Sequence, residues 1–235
     1  MLSVVIPAFK EGENVQKTIK EVDLALSSWQ KEREILLIDD GSPDDTLSQA
    51  KKLESNYPCL KVIHLPQNQG PGAAMRAGFQ HSKGETIVTI DCDLSYHPKN
   101  IHRLVENLSG HDVIVGSPNV QGGKMVNVPF LRKFFSKMAF FLDRFVLGGK
   151  LPCYTSFFVA YRGSLIRNLV FKNDSFSAQT EIFIRLWRRG AKISGIPCDL
   201  IWFNEGRASS MRLLRESIRH LKLWWHLNRF RKSIN

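Results

Sequence analysis

Apolar runs and helical patterns take turns along the first half of the chain. Leu2–Ile6, Glu34–Ile38, Lys61–Leu65, Thr86–Ile90 and Asp112–Val115 are short runs rich in Val, Ile and Leu, and they read as buried strands. Between them, apolar residues recur at helical spacing over Val15–Trp29, Asp45–Ser55, Gly72–His81 and Lys99–Leu108. Strands without a polar face, separated by helices, predict an α/β fold with a mostly parallel sheet and helices on both faces. Such sheets bind ligands beyond the carboxyl ends of their strands.

The second half is patterned differently. The stretch "FLRKFFSKMAFFLDRFVL", Phe130–Leu147, is apolar at 130, 131, 134, 135, 138, 141, 142, 145 and 146, with Arg132, Lys133, Ser136, Lys137, Asp143 and Arg144 filling the other side. Met211–Lys232 repeats the idea, setting Leu214, Ile218, Leu221, Trp224, Trp225 and Leu227 against Arg212, Arg215, Arg219, Lys222 and Arg229. Thr155–Tyr161 and Lys192–Pro197 read as further strands. The two amphipathic helices have three readings: core helices with a solvated face, membrane-interface helices, or nucleic-acid binders. No nucleic-acid motif supports the third, so no such partner is expected.

Composition narrows the setting. A chain of 235 residues without a long linker suits one large α/β domain. The net charge of +11 favours an anionic partner. Cys59, Cys92, Cys153 and Cys198 include no CxxC pair, and the scattered histidines show no helical metal spacing, so zinc sites are disfavoured. With no secretory signal at the start, reduced thiols and a cytoplasmic setting are expected. No apolar run reaches the roughly 18 residues of a membrane span, which points to a protein that lies on a membrane rather than crossing one.

The candidate chemistry sits at strand exits. Asp91-Cys92-Asp93 follows the run Thr86–Ile90, where desolvated charge is costly and two like charges repel. The spacing puts both carboxylates within reach of one oxygen-loving divalent ion, Mg²⁺ or Mn²⁺, which would neutralise a leaving diphosphate. The bland alternative is an Asp-rich turn before Pro98. Asp39 and Asp40 also follow a strand. Asp44 or Asp45 suffices to open the next helix, so the first two are left to hold a base or ribose, or simply to shape the turn. Asn68-Gln69-Gly70-Pro71-Gly72 lacks the residues of a phosphate loop and reads as a tight turn with close helix packing.

Together "VVIPAFKEGENV", "ILLIDDGSPDDT", "NQGPGAAMRAGF" and "TIVTIDCDLSYHP" resemble the family 2 glycosyltransferases of the GT-A fold. Within them the likeness is to the dolichol-phosphate mannose synthases and related polyprenyl-phosphate sugar transferases. It continues through "GSPNVQGGKMVNVPFLRK" and weakens after Leu147. The resemblance implies inverting transfer from a UDP- or GDP-sugar. It places Pro7, Phe9 and Glu11 against the nucleotide, and Ile38 and Asp40 at the base and ribose. Asp91, Cys92 and Asp93 match the metal- and diphosphate-binding motif, with Ser95 completing that shell. Arg132 matches a basic residue that meets the lipid phosphate. On this reading the single domain 1–235 divides into a nucleotide-sugar half, 1–116, and an acceptor and membrane half, 117–235.

The chain also departs from that pattern. Pro118 follows Gly116-Ser117 where the family often has Arg, and no Asp precedes the Phe157-Phe158 segment. Phe203 and Ala208-Ser209 stand where the family has Arg and Ser-Lys, with Arg207 as a possible substitute. Past Asp93, only Glu181 in "SAQTEIF" stands out as a candidate base. A phosphate acceptor is already anionic and needs none. The leading expectation is transfer to a polyprenyl phosphate at the cytoplasmic face of a membrane, with Asp93 as the catalytic carboxylate on the metal. A membrane-protein partner or a second copy could contribute. The alternatives are transfer to a glycan hydroxyl with Glu181 as base, and a degenerate nucleotide-binding scaffold. A sugar-nucleotide pyrophosphorylase would want a Gly- and Arg-rich loop after the first strand, and "PAFKEGEN" is not one.

Overall fold

A computed structural model describes residues 1–147 and 151–203. In chain order the first half contains β1 (Leu2–Ala8), α1 (Gly12–Ala25), β2 (Arg33–Asp39), α2 (Thr46–Glu54), β3 (Leu60–His64), α3 (Pro71–His81) and β4 (Thr86–Thr89). There follow α4 (Ile101–Glu106), β5 (Val113–Ser117), β6 (Met125–Val126), α5 (Phe130–Leu147), β7 (Val159–Arg162) and α6 (Gly163–Arg167). The described part ends with α7 (Ala178–Arg188), β8 (Ile193–Pro197) and β9 (Leu200–Ile201).

Seven strands form one sheet in the order β3-β2-β1-β4-β7-β5-β8. All neighbours run parallel except β7, which is antiparallel to both β4 and β5. The uninterrupted apolar runs are explained by burial on both faces. Val4, Ile6, Leu37, Val88 and Ile90 pack with Val15, Ile19 and Val22 of α1 and with Ile101 and Leu104 of α4. On the other face Val5, Leu36, Ile38 and Ile87 pack with Ala74, Met75 and Phe79 of α3 and with Ile182 and Phe183 of α7.

Two local expectations change. The strand expected from Thr155 begins only at Val159. Before it, the Ser156 hydroxyl donates to the Gly116 carbonyl at 2.8 Å and accepts from the Phe158 N–H at 3.2 Å, so side-chain bonds replace the ladder. Helix α7 was not expected at all. Its helical signals are the Ala178, Ile182 and Leu186 spacing and the Glu181–Arg185 pair one turn apart.

Helix α5 does not behave as a core helix. Its apolar stripe faces outward: Phe145 is 87% exposed, Phe130 79%, and Leu131, Phe134 and Phe141 more than half. The inward side instead carries Phe140, against Tyr154, and Asp143, which is fully buried although the sequence places it among the polar positions. No described helix is long and apolar enough to cross a membrane. Arg207, Ala208-Ser209 and the expected helix Met211–Lys232 with Trp224 and Trp225 lie outside the described residues.

Candidate functional site

The acidic residues gather at the carboxyl edge of the sheet, but their surroundings differ. After β1, Pro7, Phe9 and Glu11 are half-buried. Lys10 between them has a positive φ of 60°, an uncommon conformation for a side-chain residue that tightens the turn into α1. The Lys10 N–H donates to Ser42 Oγ at 3.0 Å and the Glu11 N–H to Thr46 Oγ1 at 2.9 Å, tying this turn to the one after β2. Glu11 Oε2 accepts from Asn14 at 2.6 Å.

At the exit of β2, both carboxylates are buried and fully engaged. Asp39 Oδ2 lies 2.7 Å from His64 Nδ1, its register partner on β3, and Oδ1 accepts from the Ser42 N–H at 3.3 Å. Asp40 accepts from Asn68 Nδ2 at 3.0 Å and from the N–H groups of Gln69 at 2.9 Å and Gly70 at 2.7 Å. Burial holds the Asp40 carboxyl above its ordinary range even so, with those backbone bonds pulling the other way. Gly70, at φ 109°, could not carry a side chain there, because a Cβ would sit 2.3 Å from the Asp174 carbonyl. The glycines of this turn therefore serve close packing. Ile38 is fully buried in the core beside α3 and offers the cleft only its backbone.

The exit of β4 is different. Asp91 is half-buried and Asp93 exposed. The loop closes through a bond from the Ser95 N–H to Asp93 Oδ1 at 2.8 Å, with Leu94 at φ 57°. Among the described residues no basic side chain pairs with Asp91 or Asp93. Burial first, then the charges of Asp93 and Glu11, push the Asp91 carboxyl well above the carboxylate range. This donor set, hard oxygens crowded without a counter-charge, suits Mg²⁺ or Mn²⁺. The described residues do not converge into a ready-made cluster of three metal-ligating side chains. Cys92 points the other way: its side chain is in the core, and its carbonyl accepts from Thr18 Oγ1 at 2.6 Å.

The far side of the site is built by β9. The Ile201 N–H donates to the Ser95 carbonyl at 2.9 Å, and the Trp202 N–H to the carbonyl of Val126, the last residue of β6, at 3.0 Å. The Arg132 guanidinium lies over the Trp202 ring, 4.3 Å from its centre. Sequence reasoning did not single out Trp202, because its partner is far off in the chain and no local pattern joins them.

Glu181 is not available as a base. It is 3% exposed, accepts from the N–H groups of Lys172 and Asn173 at 3.3 and 2.9 Å, and pairs with Arg185 at 2.6 Å. Its carboxylate closes the turn that packs against Gly70 and Gly72, so the hydroxyl-acceptor reading loses its base.

In a mostly parallel sheet of this kind ligands bind beyond the carboxyl ends of the strands, which is where these acids stand. The profile of Glycosyl transferase family 2 matches residues 3–170, and the chain belongs to that family. It is 35% identical to the dolichol-phosphate mannosyltransferase of Pyrococcus furiosus, over 78% of this chain and 52% of that protein. It is 29% identical to the undecaprenyl-phosphate mannosyltransferase of Micrococcus luteus, over 94% of this chain and 92% of that one. The chain thus spans about half the length of the Pyrococcus relative and nearly all of the Micrococcus one. Glucosyl-3-phosphoglycerate synthase from Mycobacterium tuberculosis, solved with Mn²⁺, UDP and phosphoglyceric acid, superposes with a TM-score of 0.68 at 21% identity, over 92% of this chain and 72% of that one. The fold is GT-A.

Proposed function

We propose that this chain transfers a sugar from a UDP- or GDP-sugar, with inversion, to a polyprenyl phosphate at the cytoplasmic face of a membrane. The observation that carries the reading is a pair of mismatched charges at one edge of the sheet. Among the described residues Asp91 and Asp93 have no paired cation, and across the Ser95–Ile201 bond Arg132 has no paired anion. A divalent ion with a diphosphate fits the first, and an acceptor phosphate fits the second. Asp91 and Asp93 would hold that ion, which supplies charge neutralisation to the departing nucleoside diphosphate.

Pro7, Phe9 and Glu11 border the donor, with Ser95 behind the diphosphate. Ile38 and Cys92 contribute backbone only. Asp40 shapes the base subsite by fixing the Asn68–Gly70 turn. With Glu181 engaged elsewhere, an acceptor that arrives ionised needs no base, and the protein's contribution is placement and electrostatics. The names of the Pyrococcus and Micrococcus relatives support the same acceptor class. Residues 1–116 form the donor half and 117–235 the acceptor half.

The deciding experiment offers UDP- and GDP-sugars with Mn²⁺ to a polyprenyl phosphate and, separately, to glycan hydroxyls. Transfer to the phosphate alone is expected. Transfer only to hydroxyls overturns the reading, and nucleotide binding without transfer or slow donor hydrolysis leaves the scaffold. The outward stripe of α5 supplies the membrane contact. Co-sedimentation with anionic vesicles should weaken as salt rises and fall further when Phe134, Phe141 and Phe145 become Ser. Indifference of the intact protein to vesicles at low salt removes the membrane part.

A further inference from the structure

Arg132 differs from most of the half-buried arginines of the described fold. Arg33, Arg76, Arg162 and Arg185 each pair with a carboxylate, and Arg167 donates to the Gly84 carbonyl at 2.7 Å. Half-buried Arg132 has no carboxylate or carbonyl partner among the described residues, only the face of Trp202 at 4.3 Å. Stacking holds a guanidinium through its π face and leaves every N–H in the plane free. A carboxylate partner would occupy the very donors that a phosphate needs. A long side chain held this way has also lost much of its rotamer freedom before any ligand arrives.

The backbone leading into Trp202 is itself fixed. The Trp202 N–H is bound to Val126, and the preceding Ile201 N–H is bound to Ser95, two residues from Asp93. The segment Ile201–Trp202 therefore links the Asp91–Ser95 loop to the arginine on α5. The next residue, Phe203, faces Lys17 of α1 only at 5.8 Å and is 48% exposed, so the close stack is particular to Trp202.

We propose that Trp202 is a positioning residue: it holds the Arg132 guanidinium, donors free, at a set place relative to the Asp91–Ser95 loop for an anionic phosphate acceptor. The inference rests on the polyprenyl-phosphate reading above. Its test compares Trp202→Leu, which fills space without a π face, with Trp202→Phe, Arg132→Ala and the double variant Trp202→Leu/Arg132→Ala. Steady-state transfer to a polyprenyl phosphate is measured alongside nucleoside-diphosphate affinity with Mn²⁺ by calorimetry. Trp202→Leu should raise the acceptor KM about tenfold with nucleotide Kd unchanged. Trp202→Phe should recover most of that loss, and the double variant should be no worse than Arg132→Ala alone. If the unaltered protein transfers nothing to polyprenyl phosphate, the functional reading falls and this inference with it. If it does transfer, but Trp202→Leu keeps the normal acceptor KM, shifts nucleotide Kd equally, or adds fully to Arg132→Ala, the positioning role alone is overturned.

Discussion

The exits of β2 and β4 each carry two aspartates at the same edge of one sheet, yet they are opposites. At β2, Asp39 and Asp40 are buried and meet His64, Asn68 and the N–H groups of Ser42, Gln69 and Gly70. At β4, among the described residues, the only hydrogen bond to either carboxylate is the one that Asp93 accepts from Ser95, and Asp91 is pushed upward by burial and then by its acidic neighbours. At Asp40 the hydrogen bonds offset part of the burial that still holds its carboxyl above the ordinary range, and their donors are left unsatisfied if it is removed. A carboxylate left among like charges costs stability until something outside neutralises it. On the proposed reading the first pair sets the shape of the turn and the second receives a ligand.

Exchanging one carboxylate in each pair tests that contrast, and the largest effect belongs to β4. Asp93→Asn should lower transfer by orders of magnitude and abolish the Mn²⁺ dependence of nucleotide binding, while Tm stays level or rises. Transfer rates and calorimetry with and without Mn²⁺ check this. Full activity in Asp93→Asn removes the ion from Asp93 and breaks the comparison at its stronger end.

At β2 the expectation reverses. Asp40→Ala leaves two backbone N–H groups and the Asn68 amide without their acceptor, at about 1–3 kcal/mol for each buried donor left unsatisfied. A loss on the order of 2–4 kcal/mol would lower Tm by roughly 5–15 °C in a domain of this size. Nucleotide affinity should fall as a consequence, since the turn that packs on Asp174 is loosened. A level Tm with weakened nucleotide binding would return Asp40 to direct contact with the ribose or base.

These two outcomes also mark how far the sequence can be read. The parallel sheet was legible because β1, β2 and β4 each hold an unbroken apolar run, Val4–Ile6, Ile35–Ile38 and Ile87–Val88, and that pattern follows from burial on both faces. The antiparallel insertion of β7 between β4 and β5 was not, because strand order is decided by tertiary packing and leaves no local trace. Helix α7 escaped because Ala178–Ile184 is buried without a break, which hides the polar face that marks most helices. At the site, the residue types at the strand exits were readable, but their partners were not. The groups that engage Asp40 and Glu181 are mostly backbone N–H groups of Gln69, Gly70, Lys172 and Asn173, and backbone donors carry no sequence signature. Burial is equally silent for Asp143: the stripe left core and interface readings of α5 open, and the fold turns Phe130, Phe134, Phe141 and Phe145 out.

The smallest expected effect concerns Asp91 and uses pH instead of activity. Its carboxyl is held well above the ordinary range in the native fold by burial, Asp93 and Glu11, and unfolding removes that perturbation. A group with a raised native pKa binds its proton more tightly when folded. Its contribution to stability is complete below the unfolded carboxylate pKa and is lost as pH rises through the native value. In chelator, the Tm of the unaltered protein should therefore fall behind that of Asp91→Asn as pH rises from the acid range, with the gap levelling once Asp91 is fully ionised. Adding Mn²⁺ with a nucleoside diphosphate should close the gap or reverse it, because ligand bound only to the native state raises Tm and the Asn variant binds it less well. Melting curves across pH for both proteins, with and without the ion, supply the measurement. A gap that is constant in pH would mean that the Asp91 charge is compensated within the fold, and the case for an outside ion at this strand exit would fall.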